Sequence, residues 1–197
     1  MGLILQIYVK EISDDIIPKI VEKLNEFEME CEFHPDFHFL GGEGFLPIKF
    51  KLLNTKYQKF KNEYLITGFE IYYEAFDLDT EKQKIQSLTN KLLNPKLFKR
   101  QNEPIFFESP KIDDKLKNCT LLISFVWGDH DDFDFRFAVL ISAIITKLTN
   151  GICCYPSDDL WYDNESILED AKRDIEDYED GLDLDNLQYH KFNGWDT

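Results

Sequence analysis

The chain has 197 residues, 43% of them hydrophobic, and a formal charge of −16. That length fits a single domain able to bury a core without disulfide or metal staples. The charge argues against the phosphate-neutralising surface of a nucleic-acid binder and against an anionic membrane surface as partner. Seventeen Phe, nine Tyr and three Trp predict that the core, and any contact surface, is largely aromatic.

The opening LILQIYV predicts a strand over 3–10. No basic segment precedes it and no small-residue cleavage site follows it. Gln6 stands where a myristoylation pattern needs Ser or Thr. In SDDIIPKIVEKLNEF, Ile16, Ile17, Ile20, Val21 and Leu24 recur at helical spacing. Ser13 or Asp14 is the expected cap, and Pro18 is tolerated near the start, giving a helix over 14–27. Residues 29–77 read as strands: MECEFHPDFHF and FLPIKFKLL around the turn LGGEG, then GFEIYYEAFDL, with NTKYQKFKNEY as a helical turn or hairpin arm.

Asp79 or Thr80 should cap a helix over 81–93 carrying Ile85, Leu88, Leu92 and Leu93 inward, ended by Pro95. A short IFFE strand is expected within 95–118. NCTLLISFVW, near-continuously apolar, predicts a strand over 119–127 buried on both faces. FDFRFAVLISAIITKLTNG predicts a central buried helix over 133–149. ICCYP and LWY are short strands, and SILEDAKRDIEDYE a charged helix over 165–179. The longest apolar run, about 14 residues and containing Arg136, is too short to span a bilayer. The expected fold is a single α+β domain, a mostly antiparallel sheet against several helices, with an acidic helix and tail from about 158.

Five stretches carry candidate chemistry. In VWGDHDDFDFR, Asp129, His130, Asp131, Asp132 and Asp134 suggest a divalent metal or an acid–base cluster. They equally suit a helix start, whose free amides and positive dipole want carboxylates, and Asp131 and Asp134 have capping spacing. Lys147 and Gly151 match the far end, Gly151 falling where a left-handed cap is wanted. Capping is the reading adopted. In FHPDFH, His34, Asp36 and His38 would share one face of a strand, the best metal set in the chain, with no third or fourth ligand nameable. LGGEGFLP lacks the spacing and the lysine of a phosphate loop.

Cys31, Cys119, Cys153 and Cys154 are expected as reduced thiols in the cytoplasm, with Cys153 and Cys154 lacking the base or cations of a nucleophile. Last, residues 158–185 hold thirteen acidic side chains against Lys172 and Arg173, most of the net charge. Asp170, Asp174 and Asp177 lie along one face of the helix, where like charges repel. Trp161 and Tyr162 beside them offer aromatic anchors. This surface is either solvated, docked on the basic residues of the middle of the chain (Lys82, Lys84, Lys91, Lys96, Lys99, Arg100), or a docking surface for a basic partner.

Residues 119–180 carry a resemblance: an apolar strand into an acid-capped helix ending Leu148-Thr149-Asn150-Gly151, a strand with Tyr155-Pro156, then Trp161-Tyr162 and a charged helix. This resembles the C-terminal part of small bacterial immunity proteins that accompany polymorphic or contact-dependent toxins. The resemblance implies a non-catalytic acidic α+β protein that covers the active or another needed surface of a cognate toxin, without metal or cofactor. Nuclease toxins bind phosphate, so their surfaces are cationic and an acidic protein can mask them. The residues expected to bind are Asp158, Asp159, Trp161, Asp170, Asp174 and Asp177. The alternatives are a metal-dependent enzyme using the His34/Asp36/His38 or Asp129–Asp134 set, or a plain acidic adaptor that mimics nucleic-acid charge.

Overall fold

A computed structural model describes residues 3–39, 41, 43–53, 59–92, 107–128 and 131–195, with backbone only at 88–92. Its strands are β1 (Leu3–Val9), β2 (Met29–Phe33), β3 (Gly44–Leu52), β4 (Leu65–Ala75), β5 (Leu121–Trp127), β6 (Ile152–Tyr155), β7 (Leu160–Asp163) and β8 (His190–Lys191). The helices are α1 (Ile17–Asn25), entered through a 3-10 turn at Asp14–Ile16, α2 (Leu78–Leu92), α3 (Pro110–Leu116), α4 (Asp134–Thr149) and α5 (Ile167–Asp180). The strands form one sheet in the order β2-β3-β4-β5-β1-β6-β7, every pairing antiparallel, with β8 on the same edge of β4 as β5. The α+β expectation holds.

The two faces of the sheet differ. Leu5, Ile7 and Val9 of β1 alternate with Ile123 and Phe125 of β5 and Phe69 and Ile71 of β4 toward α1, α4 and α5. Period-two alternation is what turns one side of every strand to this core. α4 crosses the middle of the face, and nine consecutive apolar or small residues, Phe137 to Ile145, are all buried. A helix apolar on all sides has no solvent face, so it is sealed by the sheet below and by α1 and α5 beside it. On the other face, Tyr8, Phe76, Leu116, Ile152 and Cys154 form a second cluster under α2 and α3. Elsewhere on that face, over β3 and β4, Phe45, Tyr64 and Tyr72 are exposed.

Several local expectations are corrected. Neither Ser13 nor Asp14 caps α1; the Asp14 carboxylate instead accepts from the Phe39 amide at 2.8 Å and meets His38 at 3.0 Å. α2 is capped by Asp77, which accepts from the Thr80 amide at 2.8 Å, rather than by Asp79 or Thr80. Of its expected inward residues only Ile85 lies among the described side chains. β5 is fully buried on one face and half-buried on the other, because α2 and α3 cover only part of the outer surface. In 95–118, Phe107 and Glu108 are not in a strand, and Pro110–Leu116 is a helix, with Ser109 accepting from the Ile112 amide at 3.3 Å and proline in the first turn. At the end of α4 the left-handed residue is Asn150 (φ 55°), not Gly151. Gly151 is required for another reason: a side-chain carbon there would stand 2.6 Å from the Tyr8 carbonyl.

Candidate functional site

Of the acids that open α4, Asp131 takes the capping role. Asp131, 8% exposed, accepts from the Phe133 amide at 2.7 Å, the Asp134 amide at 3.0 Å and the Thr67 hydroxyl at 3.0 Å. Burial raises its carboxyl pKa, and these donors counter part of that. The Asp132 carboxylate accepts from the Gln188 amide at 2.7 Å, while its own amide donates to the Gln188 carbonyl, which ties the C-terminal segment down beside β4. Asp129 and His130 lie outside the described residues.

The histidine stretch does not form the expected strand. β2 stops at Phe33, and Phe37 N–H donates to the His34 carbonyl to close a turn around Pro35. His34 accepts from the Asp36 amide and packs edge-on against Trp195, ring centres 5.0 Å apart, while His38 pairs with Asp14. Among the described residues no three His, Cys, Asp or Glu side chains converge on a point that could hold a metal. All four cysteines are free thiols, and burial pushes each up, to about 12 for Cys31, Cys153 and Cys154 and about 11 for Cys119. Such thiols stay protonated and are poor nucleophiles.

The acidic segment divides between two sides of the sheet. On α5, Ile167, Ala171, Ile175 and Glu179 face inward, which sets Asp170, Asp174 and Asp177 together on one flank above Tyr155 and Tyr162. Burial first raises the Asp174 carboxyl; Arg173 offsets part, and Asp170 and Asp177 raise it further. Arg173 pairs with Asp170 at 2.5 Å and is spent there. Trp161 does not join this flank. Adjacent strand residues point to opposite faces, so Trp161 stacks on Tyr8 across the sheet at 5.6 Å, against Phe107, while Tyr162 faces α5. Asp158 and Asp159 form the tip of the β6–β7 hairpin, Asp159 at φ 53° and accepting from the Trp161 ring N–H at 3.1 Å.

Lysines from the chain itself neutralise only part of the segment. Lys111 and Lys115 of α3 hold Asp163, whose carboxyl is lowered to about 2, first by the Glu165 amide and then by Lys115 and Lys111. Lys82 pairs with Asp113 and Lys84 with Glu81, so neither reaches the acidic helix. Lys91, Lys96, Lys99 and Arg100 fall outside the described side chains. Among the described residues no cation stands within ion-pair distance of Asp174 or Asp177.

One feature of the acidic helix lay hidden in the sequence. Arg136, which interrupts the apolar run, is 9% exposed and pairs with Glu179 (7% exposed) at 2.5 Å while donating to the Phe27 carbonyl at 2.9 Å. Among the described residues its Nε–H has no hydrogen-bond partner. The pair borders a cleft of about 500 Å³ between the α1–β2 turn, α4 and the second flank of α5. A lone arginine in an apolar helix and a glutamate in phase with Ile167, Ala171 and Ile175 are the signals that point to it. Comparison with protein-family models, with curated proteins and with solved structures finds no match to this chain.

Proposed function

We propose that this chain is a non-catalytic binding protein that captures a basic protein partner on its acidic surface, and that the partner is a toxin it neutralises. The observation that carries the reading is the Asp170–Asp174–Asp177 flank, whose charges repel one another and which, among the described residues, has no cation within ion-pair distance of Asp174 or Asp177. A surface selected for stability alone intersperses opposite charges. Uncompensated repulsion is the state a cationic partner relieves, and its long-range field speeds encounter. The hairpin-tip acids Asp158 and Asp159 extend the same potential, while Trp161 serves the fold from the opposite face. The toxin assignment rests on the resemblance carried by residues 119–180. Among the described residues no helix is long and apolar enough to cross a membrane, in keeping with a partner met in solution.

The test is capture of the partner with tagged chain from the source cells, identification by mass spectrometry, and stopped-flow association with the purified pair. Reversing the flank with Asp170→Lys, Asp174→Lys and Asp177→Lys should slow association at low salt by at least about tenfold and flatten its salt dependence. An unchanged rate and slope would remove this flank from the interface.

A further inference from the structure

The two edges of the sheet end differently. At β2 the amide of Cys31, which points away from β3, donates to the Asn25 side-chain oxygen at 2.9 Å, so the middle of that edge is closed by the chain itself. At the other end β7 pairs with β6 alone. Alternate residues of an antiparallel strand turn their amide and carbonyl away from the neighbour. Among the described residues nothing bonds to those of β7. Natural folds block such an edge with lysine, proline or a bulge. Leu160-Trp161-Tyr162-Asp163 carries none of the three: its register with β6 is unbroken, and Leu160 is 46% exposed.

The charges on either side of β7 say what fits there. Burial, then Asp174 and Asp170, raise the Tyr162 hydroxyl pKa, which sets those carboxylates over the edge strand itself. On the opposite face Lys111 and Lys115 stand over Asp163. A segment laid along β7 meets carboxylates on one side and ammonium groups on the other, and its side chains alternate between the two. A second copy of this chain suits the edge poorly, because a continuous sheet would bring two acidic flanks together on one face. We infer that β7 takes up an extended segment of the basic partner as an added strand, with lysine or arginine at every second position toward Asp170, Asp174 and Asp177 and uncharged residues between. Main-chain hydrogen bonds supply the affinity and the alternation supplies the specificity. This rests on the basic-partner reading and names the kind of segment that is captured.

The probe is acetyl-Lys-Val-Lys-Thr-Lys-amide, titrated into the nitrogen-15-labelled full chain beside two twins of the same charge. One twin is N-methylated at its lysines, the other at its valine and threonine. Successive residues of an extended peptide point their amides to opposite edges, so one twin blocks the edge that meets β7 and the other only the edge that meets solvent. The expected result is a saturable shift of the Leu160–Asp163 amides, with one twin at least about tenfold weaker and the other within about threefold of the parent peptide. Asp170→Asn with Asp174→Asn should weaken the parent peptide several-fold; both lie off the buried stripe of α5, so the fold is kept. Equal binding of the three peptides, weakened together in that variant, would overturn strand addition and leave the basic-partner reading standing on charge alone. Equal binding that the variant leaves untouched, or no binding, would overturn strand addition and remove the flank's support from that reading as well. A doubled mass for the chain alone, with the same amides already protected from exchange, would overturn it by giving the edge to a second copy.

Discussion

Replacing Glu179 by leucine is the sharpest single perturbation of this fold, because it strands a guanidinium. The Arg136 and Glu179 side chains are 11% and 9% exposed. Removing one member of a buried pair costs about 3–5 kcal/mol, since the remaining charge keeps its desolvation penalty and loses its partner. That is a large share of a total stability of roughly 5–15 kcal/mol. At roughly 2–4 °C per kcal/mol for a chain of this length, Glu179→Leu should lower the melting temperature by roughly 6–20 °C.

The double variant Arg136→Met/Glu179→Leu removes both charges but takes the Nη2 donor from the Phe27 carbonyl. It should therefore recover most of the loss and remain about 1–3 kcal/mol below the parent. Urea unfolding of the parent, both single variants and the double, at a common slope, gives the coupling energy directly. If Glu179→Leu fell within about 1 kcal/mol of the parent, the guanidinium would have to be hydrated through the cleft, and the burial argument would fail.

Three further outcomes follow from other parts of the site. The Glu165 amide, Lys115 and Lys111 hold the Asp163 carboxyl at about 2, down from the usual 3.8, so its contribution is complete above about pH 4 and lost as pH falls toward 2. Asp163→Asn should cost about 2 kcal/mol at neutral pH and flatten the acid limb of a stability–pH curve; an unchanged limb would contradict the lysine clamp. Asp174→Asn should stabilise by a few tenths to about 1 kcal/mol by removing like-charge neighbours, yet slow capture of a basic partner. A loss of stability there, measured by thermal melting, would count against the repulsion account. Trp161→Ala should cost about 2 kcal/mol, below the 3–5 of a fully buried aromatic, and leave partner association within about twofold of the parent; slower association with intact stability would return Trp161 to the binding surface.

The sequence by itself determined the elements whose pattern is local. A short β-rich run set β1, apolar alternation set β3 and β4, and the all-round apolar face of Phe137–Ile145 set a buried helix capped by aspartates, the role Asp131 takes. The acidic phase of Asp170, Asp174 and Asp177 was likewise fixed by helical spacing, which needs no tertiary partner. The α3 helix was also written locally, in Ser109-Pro110, but a seven-residue helix carries too little periodicity to stand out from a loop.

Only the tertiary structure decided what depends on distant pairing. Which of two neighbouring residues, Trp161 or Tyr162, meets the acidic helix follows from the register of β6 on β1 and β7 on β6. The partner of Asp14 is 25 residues away at Phe39, and the use of Gly151 comes from Tyr8 on another strand. Arg136 finds Glu179 across 43 residues. An apolar run broken by one arginine does not say where its counter-ion lies, because a buried charge is satisfied by whatever carboxylate the packing of two helices brings within reach.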